Sequence, residues 1–413
     1  MYNRCLIPAA FTPAGGARYL CPAMPDPAPL PTAPPYDVAI VGAGPAGAAC
    51  ALALRGSGLR VAVLDKARFP RDKVCGDAIP GAALTALAGL DPAYRQALAA
   101  LRPQSPARHS RLVAPSGRSL WLHWKTPSFS SPRLNFDAAL LALVRQHTDT
   151  TVLEETAPLA LSGAPGAWHL STTRGELRAR LLVGCDGAQS WVRRQLLPGP
   201  ARPHAGVAVR AYFENVADSQ EDTTEFFFSG DYLAGYFWLF PVGAGRHNVG
   251  LGLLTELVSQ HQLDLKKLLH EWTTQHPALA SRFAQARQLE PTRGFGLPLG
   301  GAPGPTAPVS GAGFLLCGDA AALIDPLQGH GIDTAVRSGI LAAGQARQAV
   351  AAGEYGAGFL AEYTRQVQAQ LGPQLAHSHR LMRLLGTRPW LVNAGVQLAR
   401  LPGMRGLVQQ LVG

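Results

Sequence analysis

The chain has 413 residues and a formal net charge of +10, from 37 Lys and Arg against 27 Asp and Glu. That length suits two packed units with appendages rather than one small core, and the positive excess suits a phosphate-bearing ligand or an anionic membrane surface. Three classes are excluded. Six cysteines without paired spacing argue against a disulfide or zinc scaffold, the absence of a long apolar run argues against a membrane span, and no basic stripe is interleaved with aromatics as a nucleic-acid reader requires.

Residues 1–35 are rich in Pro and Ala and lack periodicity. Pro8 and Pro13 interrupt the apolar patch after Arg4, so the segment is expected to be a disordered leader rather than a secretory signal, with Met24 a candidate start. The organising stretch is Tyr36–Asp65. A strand-like run, Val38–Val41, leads into Gly42-x-Gly44-x-x-Gly47, an Ala-rich helical segment, a second strand at Arg60–Leu64 and an acid, Asp65. The first glycine permits the turn, the second lets a pyrophosphate approach the backbone, and the third lets helix and strand pack closely. The helix N-terminus favours the phosphate charge, and a carboxylate at Asp65 suits the hydroxyls of an unphosphorylated ribose.

Phe69–Asp77 reads as a loop by its Pro, Gly and charges, and opens a helix at Pro80–Leu90. A loop leaving the second strand of such a fold lies at the carboxyl edge of the sheet, where ligands bind, so Cys75 is either an ordinary loop thiol or a site residue. Arg108–Lys125 reads as a hairpin turning at Pro115–Gly117, the first visit to a second sheet. Arg133-x-x-Phe136-Asp137 starts a helix running to His147; Arg133 either reaches a cofactor or marks a surface helix start. Thr151–Leu182 holds three strand-like runs, and an apolar strand then enters Cys185-Asp186-Gly187.

Gly206–Leu254 is all strand: Val207–Phe213, Thr224–Phe228, Gly235–Pro241 and His247–Leu254. Phe226, Phe227, Phe228, Tyr232, Tyr236, Phe237, Trp238 and Phe240 crowd it. They form a sheet core, or one face packs while the other lines an apolar cavity. Residues 262–288 read as helix. Phe314–Cys317 is a strand entering Gly318-Asp319 and Asp325-Pro326-x-x-Gly329-His330-Gly331-Ile332, followed by a helix through Ala351. A late carboxylate for a ribitol and a helix start for an isoalloxazine ring are what FAD requires and NAD does not, so Asp319 and Gly329–Gly331 select FAD. Tyr355–Gly413 is expected to be helical with breaks at Gly372-Pro373, Gly386–Pro389 and Pro402-Gly403. It has six arginines and no acid after Glu362. It either covers the second domain or lies on an anionic bilayer.

GAGPAG at 42–47, Arg133-x-x-Phe136-Asp137, CDGAQSWVR at 185–193 and CGDAAALIDPLQGHGI at 317–332 resemble the aromatic-hydroxylase-type flavoprotein superfamily. Phe69-Pro70-Arg71-x-Lys73-x-Cys75-Gly76, Tyr236-x-Trp238-x-Phe240-Pro241 and Asn248-Val249-Gly250-x-Gly252 narrow the resemblance to its geranylgeranyl reductase family. The resemblance implies an α/β fold: a glutathione-reductase-type Rossmann-like FAD domain (36–105, 130–200 and 296–350), an inserted antiparallel substrate domain (106–129 and 201–295) and a helical C-terminal segment (351–413). The expected FAD contacts are Gly42, Gly44, Pro45, Ala46, Gly47, Asp65, Lys66, Arg71, Cys75, Gly76, Arg133, Asp186, Gly187, Gly318, Asp319, Pro326, Gly329, Gly331 and Ile332. Cys75, Tyr236, Trp238 and His330 are the catalytic candidates, and no metal is expected.

Two positions depart from the family's habit. His330 stands where Glu is common, and Asp77 where a second Gly follows Cys-Gly. The implied reaction is hydride transfer from reduced FAD to an isoprenoid double bond, with NAD(P)H or ferredoxin as the electron donor. A monooxygenase or halogenase acting on an aromatic substrate is the alternative, and a redox-neutral flavoprotein a third class. The expected location is the cytoplasm, with peripheral contact at the inner face of the membrane through the basic tail.

Overall fold

The computed structural model describes residues 34–197, 205–230, 235–302, 308–386, 388–399, 404 and 406. The expected leader, the aromatic Tyr232 and the break at Pro402-Gly403 lie outside the described residues.

The chain passes twice between two sheets. It begins with β1 (Tyr36–Val41), α1 (Pro45–Ala53) and β2 (Val61–Leu64), and then crosses to the hairpin β3 (His109–Val113) and β4 (Ser119–His123). It returns through α2 (Arg133–His147), β5 (Thr151–Leu153) and β6 (Gly175–Gly184). The second crossing builds β7 (Gly206–Glu214), β8 (Thr223–Phe227), β9 (Gly235–Gly243), β10 (Arg246–Leu254) and α3 (Leu265–Gln275). The chain ends with β11 (Phe314–Leu316), α4 (Ile332–Ala352), α5 (Ala357–Gly386) and α6 (Pro389–Leu398).

The first sheet runs β11-β6-β1-β2-β5, all parallel, with the antiparallel Ser310–Gly311 strand beyond β11. Strands buried on both faces need continuous apolar runs, and Val38, Ala39, Ile40 and Val61–Leu64 supply them. Because β1, β2, β6 and β11 are parallel, the turns that leave them at Gly42, Asp65, Cys185 and Cys317 share one edge. The strand Ala167–Thr172 pairs antiparallel with β6 on one side and with Pro158–Ala164 on the other, which is the meander expected there.

The second sheet runs β7-β10-β9-β8-β3-β4, antiparallel except for β8 beside β3. One face carries Val209, Ala211, Phe213, Phe237, Leu239, Val249 and Leu251, covered by Leu265 and Leu269 of α3. The other carries Ala208, Tyr236, Trp238 and Phe240 and turns toward the first domain.

Three expectations need correction. The helical reading of 262–288 divides into α3, a four-residue helix at Ala280–Phe283 and a short strand at Arg287–Gln288 paired to β7. No break occurs at Gly372-Pro373, because α5 runs through Pro373. A mid-helix proline costs ~3 kcal/mol, but Val367, Leu371 and Leu375 are buried in the main core on one face of this helix. That burial outweighs the cost, at ~1.5–3 kcal/mol for each such side chain. Nor does the tail only cover the second domain. Most of it lies against the first, where Tyr363 donates to the Leu316 carbonyl at 2.7 Å and Ser310 meets Thr364 at 2.7 Å. Among the described residues, α6 and the following Ala399 pack on the second sheet, Val392, Val396 and Ala399 lying against Leu120 and Leu122.

Candidate active site

The shared edge of the first sheet is built around three glycines with three different jobs. Gly42 has φ +104°, and a Cβ there would lie 2.3 Å from the Cys185 carbonyl oxygen; one at Gly47 would lie 1.9 Å from the Gly42 oxygen. Gly44 is different, since only Arg71 Nη2, at 3.7 Å, approaches its Cβ position. The space above Gly44 is what a pyrophosphate would fill. Gly44 is the N-cap of α1 and brings no side-chain cap, so the first-turn N–H groups are left for a ligand. Pro45, Ala46 and Gly47 form that buried first turn.

Arg71 brings positive charge to this cradle. It stacks on Phe69 at 4.7 Å and pairs with Asp137 at 2.7 Å. Arg133, the first residue of α2, is buried and chelated by the same carboxylate, Nε to Oδ1 at 2.7 Å and Nη2 to Oδ2 at 2.8 Å. Its guanidinium also faces Cys75, and burial notwithstanding, the Asp137 charge holds it protonated. Burial would raise the Asp137 carboxyl, but Arg133 and Arg71 keep it below the usual range.

Asp65 receives the Ala43 N–H at 2.9 Å on one oxygen and the Ala67 N–H at 2.9 Å on the other, which fixes it beside the glycine turn. Lys66 projects to solvent next to it. Three strand intervals separate the ends of β2 and β11, about 14 Å at the usual spacing, so Asp65 and Asp319 flank the turn as two ends of one extended molecule would require. Asp319 pairs with Lys73 at 3.1 Å. Gly318 has φ +55° and donates its N–H to Ser338 at 3.0 Å. Asp186 caps the helix after β6, accepting the N–H groups of Trp191 and Val192 at 2.6 and 3.0 Å. Its other oxygen is buried without a partner, and burial raises its carboxyl; Gly187 beside it has φ +79°.

The loop before α4 is held by Asp325, whose Oδ1 accepts the N–H groups of Leu327 and Gln328 and whose Oδ2 accepts the Ser378 hydroxyl of α5 at 2.7 Å. Pro326 and Gly329, at φ +67°, shape the loop, and Gly331 opens α4 without a side-chain cap just before Ile332. His330 lies between acceptors, Nδ1 at 2.8 Å from Asp333 and Nε2 at 2.7 Å from Gln328 Oε1. Burial works against its protonation, yet the Asp333 charge leaves its pKa raised.

The second sheet closes the site from the other side. Tyr236 donates its hydroxyl to the Gln328 carbonyl, and burial raises its pKa. Trp238 lies across β10, where a Cβ on Gly250 would strike its indole at 2.3 Å, and its Nε1 donates to Asn248 Oδ1 at 2.8 Å. Gly76 lies under Phe240 and Trp238, with a Cβ position 3.4 and 3.7 Å from their rings. The alternation Asn248, Gly250, Gly252 thus makes a bed for an indole, and the motif had no such reading from spacing alone. Sequence reasoning singled out Asn248 only as part of that motif. It missed Arg210 and Tyr212, whose i, i+2 spacing on β7 carried no signal.

The uncapped α1, the open space at Gly44 and the flanking carboxylates fit FAD, and the aromatic face opposite them completes the site. The fold and site therefore define a two-domain FAD-dependent oxidoreductase. Residues 205–294 match the geranylgeranyl reductase catalytic domain, and residues 40–76 match an NAD(P)-binding Rossmann-like domain. The chain is 33% identical over 324 residues to the menaquinone reductase of Mycobacterium tuberculosis, covering 74% of this chain and 75% of that protein. It is 28% identical over 367 residues to a digeranylgeranylglycerophospholipid reductase of Methanopyrus kandleri, covering 84% of this chain and 86% of that one. It belongs to the geranylgeranyl reductase family of FAD-dependent oxidoreductases. Solved structures share the fold: a geranylgeranyl bacteriochlorophyll reductase-like protein of Thermoplasma acidophilum, with TM-score 0.75, 22% identity and coverage of 91% and 99%, and a flavin-dependent brominase, with TM-score 0.73, 21% identity and coverage of 91% and 93%.

Proposed function

We propose that the chain reduces a carbon–carbon double bond in the isoprenoid chain of a membrane lipid, of the quinone or glycerophospholipid kind named by its relatives. The observation that carries this reading is the aromatic face of β9, Tyr236, Trp238 and Phe240, set against the Cys75–Gly76 loop of the nucleotide domain. Bound FAD, reduced by NAD(P)H or a ferredoxin, supplies the hydride. The residues expected to hold it are Gly42, Gly44, Pro45, Ala46, Gly47 and Arg71 at the pyrophosphate, Asp65 and Lys66 at the adenosine end, and Asp319 at the ribitol. Gly318, Pro326, Gly329, Gly331 and Ile332 would hold its ring, with Cys75, Gly76, Arg133, Asp186 and Gly187 around it. The three flavin-domain segments and two inserted segments of the sequence reading are part of this proposal.

An isolated alkene is a poor electrophile, so the protein must exclude water and orient the bond. Trp238, pinned by Asn248 and by the Gly250 backbone, provides a rigid apolar wall. Cys75 and His330 are the candidates to place a proton on the neighbouring carbon, and Tyr236 ties the β9 strand to the loop that carries His330. Photoreduced enzyme, mixed anaerobically with a panel of prenyl diphosphates, menaquinones and prenylated glycerolipids, should reoxidise its flavin and add two hydrogens to one class, read by mass spectrometry. No reoxidation across the panel overturns the proposal.

Access to such substrates belongs to the same reading. Trp390, Leu398 and Leu384 are 63%, 47% and 42% exposed at the end of α5 and on α6, near Arg380, Arg383 and Arg388. Among the described residues no helix is long and apolar enough to cross a membrane. A surface of aromatic, leucine and arginine side chains suits peripheral contact with an anionic bilayer at its cytoplasmic face.

A further inference from the structure

The loop that leaves β2 belongs to the nucleotide domain, yet its far end is held mostly by the second sheet. Asp77 is wholly buried and has φ +66°, a backbone that L side chains rarely adopt and glycine takes freely. A glycine would satisfy the turn, so the carboxylate is there for its oxygens. Oδ2 accepts the Tyr212 hydroxyl at 2.5 Å and the Asn248 amide at 2.8 Å, and Oδ1 faces the Arg133 N–H at 3.3 Å. Asn248 uses its amide nitrogen a second time, on the Cys75 carbonyl at 2.7 Å, while its oxygen takes the Trp238 indole N–H. One side chain therefore ties together Cys75, Asp77 and Trp238. Behind it Arg210, wholly buried and 4.2 Å from the Tyr212 ring, binds both oxygens of Asp72 at 2.8 Å and pairs with Glu290.

Three donors converge on Asp77. Asn248 and the Arg133 backbone offer only N–H groups in that direction, so the oxygens of residue 77 serve as acceptors, and the free lone pair on Oδ1 can take a proton without the loss of a contact. We propose that Asp77 and Asn248 form a latch between the two domains, closed when the buried Asp77 is uncharged and loosened when it ionises, that positions the Cys75–Gly76 backbone and the Trp238 indole. What the latch serves rests on the isoprenoid-reductase reading; the latch itself does not. The charged and titratable groups facing Asp77 are Arg210 and Tyr212 from β7 and Arg133 from α2, and β10 contributes the neutral Asn248. Burial lifts the carboxyl to about 6, with Arg210 and Tyr212 opposing, so ionisation above that value favours the open, solvated side chain.

Hydrogen–deuterium exchange of the peptide spanning residues 72–80, in the full FAD-loaded chain, reads the latch directly. With intrinsic exchange corrected, wild-type protection should fall severalfold as pH rises through about 6. Asp77→Asn keeps an acceptor oxygen and cannot titrate, so it should stay protected throughout. Asp77→Gly keeps the backbone conformer and should be open throughout. The kcat/KM for a prenyl substrate should fall with wild-type protection and lose that step in Asp77→Asn. A wild-type profile without the transition, or one that Asp77→Asn reproduces, overturns the latch whether or not the glycine variant folds. The expected exchange pattern with no prenyl turnover supports the latch and overturns the substrate reading instead.

Discussion

Single residues at this site are separable by what stands next to them. Gly44→Ala meets only the end of Arg71, so it should fold normally while weakening FAD binding tenfold or more; Gly47→Ala drives a Cβ into the Gly42 carbonyl and should destabilise the whole domain by about 3 kcal/mol or more. Thermal unfolding without added FAD, compared with FAD titration, distinguishes the two. The titrating residues oppose each other. Burial and Arg282 push His247 down to about 4, so its stabilisation is complete above its ordinary 6.5 and is lost as pH falls toward 4. Burial raises Asp77 from 3.8 to about 6, so its stabilisation is complete below 3.8 and is lost as pH rises toward 6. Each is worth about 3 kcal/mol at full extent, from ~1.4 kcal/mol per pKa unit. The wild type should therefore vary little across this window, while Asp77→Asn leaves His247 unopposed and loses about 3 kcal/mol between neutrality and pH 4. Urea unfolding at a series of pH values measures the difference.

At the scale of elements, β10 shows how a strand serves two masters. Val249, Leu251 and Leu253 fill the core under α3, while Asn248, Gly250 and Gly252 leave the opposite face low enough for Trp238 to lie on it. Gly250→Ala would set a Cβ 2.3 Å from both the Trp238 indole and the Val209 carbonyl oxygen, displacing the indole and straining the β7–β10 pairing, while the Cβ itself meets nothing in the nucleotide domain. FAD affinity should stay within twofold, and kcat/KM for a prenyl substrate should drop at least tenfold, as ~1.4 kcal/mol of lost transition-state contact predicts. Equal loss of both would show that the strand supports the cofactor rather than the substrate. Helix α5 was misread in part for a related reason. Local propensity says that Gly372-Pro373 ends a helix, but the burial that keeps it going comes from β11 and α4, which lie elsewhere in the chain.

The whole molecule joins a nucleotide-binding sheet to an aromatic sheet through a few polar ties and wraps the junction with its tail. Ser378 reaches the Asp325 loop from α5, and α6 continues onto the second sheet, so the C-terminal helices span both domains. Their exposed Trp390, Leu398 and basic neighbours should bind vesicles rich in anionic lipid and release them in high salt, since screening weakens surface attraction within ~10 Å at 0.1 M. Trp390→Ala with Leu398→Ala should cut vesicle co-sedimentation severalfold without changing turnover of a short, water-dispersed prenyl substrate. Unchanged co-sedimentation in the double variant would exclude this surface.

What the residues determined by themselves was local and repetitive: the strand–Gly-x-Gly-x-x-Gly–helix turn, Asp65 and Asp319 after their strands, the uncapped start of α4 and the alternating aromatics of β9. Each follows from backbone sterics or from side-chain periodicity over a few neighbours, so a linear reading suffices. Only the tertiary structure decided that Arg71 joins the buried Arg133–Asp137 pair, that Arg210 binds Asp72 and that Asn248 joins Cys75, Asp77 and Trp238. Those assignments depend on which distant groups share a low-dielectric space, because a buried polar atom must find its partner wherever the fold brings one.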